Sequence, residues 1–105
     1  MISESQIKNA KKVQVVSVEE TPRRIYIFLV YIDSEGRHEH TVDWDRSIVP
    51  SEENILDALW CTCTNCSYYS IISKKMCIFK IRAIKELITR GFWDASLWNI
   101  VKRDV

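Results

Sequence analysis

Residues 23–44 read RRIYIFLVYIDSEGRHEHTVDW, and this stretch sets the architecture. Its first part, 23–32, is rich in β-branched and aromatic side chains and apolar on both alternating faces. That is the pattern of a strand covered on both sides at the centre of a sheet. Asp33-Ser34-Glu35-Gly36 follows as a hairpin turn, with Gly36 at the left-handed position. The returning segment, 37–44, sorts by parity. His38, His40, Val42 and Trp44 share one face, and Arg37, Glu39, Thr41 and Asp43 share the other.

Upstream, Val13, Val15, Val16 and Val18 form another β-branched run that ends at the Thr21-Pro22 breaker. Before it, Ser3 and Gln6 match a capping box, which predicts a short helix over 4–11. Residues 1–46 are therefore expected to centre on a three-stranded antiparallel meander. Downstream, Ser51-Glu52-Glu53-Asn54 opens a short helical turn carrying Ile55, Leu56 and Leu59. A cysteine segment, 60–77, then interrupts regular structure. From Lys75 the period becomes helical, with Cys77, Ile81, Ile84 and Ile88 on one stripe flanked by Ile78 and Leu87. Gly91 is placed to end that helix, and Asp94 to cap a last one over 94–102 bearing Leu97, Trp98 and Val101.

The order predicts an α+β fold: a small antiparallel sheet of about three strands, a Cys-rich loop, and two C-terminal helices. The chain of 105 residues reads as a single domain, with the loop and amphipathic helix occupying 51–90. Two glycines and two prolines argue against linkers, and 47% hydrophobic residues supply an interior. The longest apolar run, 25–32, is far too short for a bilayer, and residues 1–6 show no apolar leader. A cytoplasmic location is expected.

The net charge of +1 hides a segregation: residues 32–57 hold eight acids and two bases, whereas 68–93 hold six bases and one acid, Glu86. Either the two segments neutralise one another across the fold, or the second presents a basic helical face to a polyanion such as DNA. Lys74, Lys75, Arg82, Lys85 and Arg90 would carry that face. Trp60, Tyr68, Tyr69, Trp93 and Trp98 could stack on unpaired bases, although tryptophans in a small domain more often serve the core or a homodimer contact. Residues 91–98 suit either of those last two roles. A near-zero net charge removes long-range support for nucleic-acid binding.

The four cysteines are Cys61, Cys63, Cys66 and Cys77. In a reducing compartment, thiols this crowded are more often metal ligands than disulfides. Thiolates satisfy tetrahedral zinc without redox chemistry, and a helix N-terminus at Cys77 favours its thiolate. Disulfides or buried thiols stay open as a metal-free alternative. Fourteen isoleucines against five leucines suit a thermophile or its virus, where intracellular disulfides persist.

Cys61-Thr62-Cys63, a spacer, and Cys77 opening an amphipathic helix after a sheet resemble the SWIM-type zinc fingers, across roughly residues 24–88. The family pattern is Cys-x-Cys followed by Cys-x-His. The resemblance implies one structural zinc ion, no catalysis, and binding to protein or DNA. Its final histidine is replaced here by Phe79, which cannot ligate a metal. Cys66, His38 or His40 could substitute. Cys66 is favoured because a loop residue can adjust while a strand histidine is fixed by register, giving Cys61, Cys63, Cys66 and Cys77 as the expected zinc ligands.

Nothing in the chain marks an enzyme. Glu39, Asp43 and Asp45 read as a solvated strand face rather than a divalent-cation site, having no lysine or histidine at a telling spacing. A Cys66–histidine nucleophile pair would lack an oxyanion hole and an orienting third residue. Gly36 and Gly91 stand alone, so no phosphate loop exists and no small-molecule substrate is evident.

Overall fold

The computed structural model describes residues 4–55, 57–62 and 77–102. Helix α1 (Glu4–Ala10) leads into β1 (Gln14–Glu20), β2 (Arg24–Asp33), β3 (Gly36–Asp45) and β4 (Leu59–Cys61). Helices α2 (Ile78–Thr89) and α3 (Ser96–Lys102) follow. The strands make one antiparallel sheet in the order β1-β2-β3-β4, so the fold is α+β with its last two helices at the C-terminal end. None of these helices is long and apolar enough to cross a membrane.

The sheet has four strands where the sequence suggests three. Leu59 belongs to β4 and not to the preceding helical turn, and residues 52–55 make only a turn, tied by Asn54 Oδ1 accepting from the Ser51 N–H (2.7 Å). A three-residue strand is too short to display alternation, and its cysteine disguised it as loop.

The β2–β3 hairpin is continuous from Arg24↔Asp45 to Asp33↔Gly36. Its turn is closed by Asp33 Oδ1 accepting from the Glu35 N–H (2.8 Å), with Gly36 at a φ of 126°. At the other end, Thr21 Oγ1 both accepts from the Arg24 N–H and donates to the Arg24 carbonyl, each at 2.8 Å. The register of β1 on β2 slips between Val15 and Ser17. That bulge lets Val15 and Val18 both pack against the core while Val16 is left 60% exposed.

The inner face of the sheet buries Ile25, Ile27, Leu29, Val42 and Trp44, and α2 contributes Ile81, Ile84 and Leu87, all fully buried. They form a single apolar cluster. The opposite face is only partly covered: Val30 is buried there. Tyr26 and Phe28 point to that same face and are half-buried beside Asp43 and Thr41 of β3. The apolar alternation of 23–32 therefore misleads: aromatic rings carry enough area to pair across strands on a face that still meets water.

Helix α2 begins at Cys77, whose Sγ accepts from the Lys80 N–H (3.4 Å) and whose backbone is extended (φ −77°, ψ 163°). It ends in a Schellman motif: the Gly91 N–H reaches Ile88 O (3.0 Å) and the Phe92 N–H reaches Leu87 O (2.9 Å). Gly91 holds a φ of +84°, and a methyl group there would meet nothing within 4 Å. Gly91→Ala is thus expected to cost about 1 kcal/mol, all of it backbone conformation, measurable as a shifted denaturation midpoint with unchanged slope. Beyond the turn, Trp93 and Leu97 are buried, and the Trp93 ring meets Trp44 edge-on at 5.7 Å. For these two residues, segment 91–98 closes the chain's own core. Asp94 Oδ1 accepts from the Ser96 N–H (2.8 Å) at the start of α3, as its capping role predicts.

Candidate functional site

The end of β4 and the start of α2 converge on two sulfurs. Cys61 pairs with Val42 of β3, which aims its side chain to the inner face, and Cys77 is the N-cap of α2. Their Sγ atoms are 3.7 Å apart, both residues are buried, and no disulfide joins them. Two thiolates at about 2.3 Å from a tetrahedral ion are held roughly 3.8 Å apart by geometry alone. Cys63 and Cys66 lie outside the described residues, as do Lys74, Lys75, Tyr68 and Tyr69.

The histidines divide. His40 is two residues along β3 from Val42, a step of about 7 Å, and His38 is about 13 Å away. His38 Nε2 is 3.0 Å from Asp33 Oδ1 at the hairpin tip, and this hydrogen bond holds the Asp33 carboxyl below its ordinary range. His40 packs against Phe79, ring centres 4.5 Å apart, with its Nδ1 3.5 Å from Thr62 Oγ1. Phe79, which occupies the position of the SWIM pattern's histidine, is itself buried. Among the described residues, three potential ligand atoms come within 4.8 Å of one another only at Asp33, Glu35 and His38, an exposed turn.

The acidic row is bound up with arginines. Arg24 reaches Asp43 (3.2 Å) and Asp45 (3.9 Å), and Arg37 reaches Glu39 (2.7 Å). Asp43 faces outward opposite Trp60 of β4, which is 66% exposed. Burial raises the Asp43 pKa, the neighbouring Asp45 adds to this, and Arg24 pulls the other way without prevailing. A carboxyl that is harder to ionise in the fold adds stability below the ordinary carboxylate range and forfeits it as pH rises through the raised value. Asp43→Asn should therefore gain stability over the parent at neutral pH and lose that advantage on acidification. Denaturant melts of both proteins at about pH 3 and pH 7 check the sign.

The basic surface is rearranged from its sequence expectation. Arg82 and Arg90 both bind Glu86, at 3.2 and 2.9 Å, which ties up two of the three described cations expected there. Lys85 turns to α3, its Nζ 5.8 Å from the centre of the Trp98 ring. Around it gather Lys8 of α1, Lys11 just after it and Lys102 of α3, lining a hollow with Ile7 and Trp98. The sequence carries a trace of this in the spacing of Lys8 and Lys11, which puts both on one helix face. That α1 would lie beside α2 was not legible.

Comparison of the chain with protein-family profiles, with curated proteins and with solved structures found no match.

Proposed function

We propose that this chain is a small non-catalytic interaction module, similar to a degenerate SWIM finger, in which one structural zinc ion pins the end of the sheet to the start of α2. The observation that carries this reading is the separation of the Cys61 and Cys77 sulfurs, 3.7 Å, close to the edge of a zinc–thiolate tetrahedron. Cys61, Cys63, Cys66 and Cys77 would hold the ion, whose contribution is cross-linking. Cys77 caps the helix, its Sγ accepting from the Lys80 N–H (3.4 Å) at the positive end of the helix dipole. Binding to protein or DNA is the task that such a module performs.

Native mass spectrometry of protein purified without added metal tests the proposal. One bound zinc ion in the native mass is the expected result, lost in Cys66→Ser and kept in His40→Ala and His38→Ala. A second reading draws on the membership of Cys61 and Cys77 in the apolar core: the cysteines are buried or disulfide-bonded and metal-free. A native mass without excess selects it. The denatured mass then separates disulfides, which lighten the chain, from thiols, which do not.

A further inference from the structure

The three helices leave a groove that the zinc reading does not use. Two hollows of about 190 and 490 Å³ adjoin one another there and share Ile7, Lys11, Lys85 and Trp98. Their floor is apolar, formed by Ile7, the buried Ala10 and Ile81, and the half-buried Trp98. Their rim is cationic, with Lys8, Lys11, Lys85 and Lys102 exposed and Glu4 the one acid among the lining residues. None of these four lysines has an ion-pair partner among the described residues.

We infer that this groove binds an acidic, amphipathic peptide segment of a partner protein. Four positive charges around an apolar floor fit a ligand that brings carboxylates and aliphatic side chains together. Lysine ammonium groups on flexible stems accept carboxylates in many geometries while their methylenes add to the apolar wall. A nucleic acid fits less well, on three counts. The one guanidinium lining the groove, Arg82, is engaged by Glu86 at 3.2 Å, so the planar fork that suits phosphate is occupied. The one aromatic ring, Trp98, already has the Lys85 ammonium 5.8 Å from its centre, where a base would have to stack. The chain's net charge of +1 gives no long-range pull on a polyanion.

This inference rests on the interaction-module reading and names the partner class. The zinc ion and the groove fail separately: a native mass without zinc would remove the metal and leave peptide binding untouched. The test is fluorescence anisotropy with a short labelled peptide of glutamate and leucine in helical repeat. An equally charged glutamate–serine peptide and single-stranded oligothymidylate serve as comparisons. The glutamate–leucine peptide should bind saturably, weaken as salt rises, and bind about tenfold more tightly than either comparison. Lys11→Glu combined with Lys85→Glu should weaken it about tenfold, while Arg37→Glu, on the far hairpin, leaves it unchanged. Both lysines are exposed, and an unchanged melt confirms that the double variant folds. Absence of saturable peptide binding overturns the inference. So does equal binding of the serine peptide, or tighter binding of oligothymidylate that the lysine substitutions abolish.

Discussion

Leu87→Ala will destabilise the protein by about 3 kcal/mol, lowering its melting temperature by about 12 °C or more. Leu87 has no exposure to solvent and stands in the last turn of α2. Its carbonyl also anchors the chain that leaves the helix, accepting from the N–H groups of Phe92 (2.9 Å) and Trp93 (3.2 Å). The backbone around the deleted side chain is thus held from two directions and resists collapse into the cavity, which keeps the cost within the usual range of about 2–5 kcal/mol for such truncations. Ile88, one residue on, is half-buried, and Ile88→Ala should cost less than half as much. Against a total stability of about 5–15 kcal/mol for a small domain, the difference is large. Urea denaturation of both variants with unchanged slopes checks it, and equal costs would mean that the inward stripe of α2 is misassigned.

On the proposal of one structural zinc ion, a strong chelator is expected to lower the melting temperature by more than about 10 °C, an effect larger than any single side chain outside the core should give. Structural zinc binding in finger peptides amounts to about 10–16 kcal/mol, most of which is folding free energy. Here the β2–β3 hairpin and α2 share an apolar core of their own, so only part of that sum should appear as lost stability. Cys61→Ser and Cys77→Ser should each reproduce the loss, and neither variant should respond to chelator. A parent protein indifferent to chelator would sink the metal site. In that case each serine would still cost about 1–3 kcal/mol, because a hydroxyl would replace a thiol at a buried position.

Legibility of the fold followed length and period. The ten-residue strands β2 and β3 carry enough alternation to fix their register and their turn. Helix α2 shows both its ends, down to the positive φ of Gly91, and the inward Ile81 and Ile84, but its buried face is turned toward Leu87 and away from the expected Ile88, which is half-buried. What failed were features that periodicity cannot encode. β4 is three residues long and exists because β3 offers it a partner. The partial exposure of the outer face of β2 is hidden because Tyr26 and Phe28 are apolar whether water reaches them or not. In the candidate sites, Cys61 and Cys77 lie 3.7 Å apart, whereas the expectation of a four-cysteine site rested on the crowding of the thiols and on the SWIM resemblance. The pairing of Arg82 and Arg90 with the shared Glu86 could be read from their four-residue intervals. The lysine groove joins α1 to α2 and α3, which lie at the other end of the sequence, and only their packing reveals it.

The slip in β1 has a consequence for how copies of this protein meet. A sheet border is a template: a row of unpaired amides and carbonyls on which another extended chain can grow. The β1 border is broken by the bulge at Val16 after two paired residues. The β4 border runs for only three residues. Among the described residues, neither offers the long, flat run that edge-to-edge assembly needs. A chain this rich in isoleucine and valine would otherwise be a ready seed for fibrous aggregates, and the irregularity that spoils its pleat is what keeps its sheet finite.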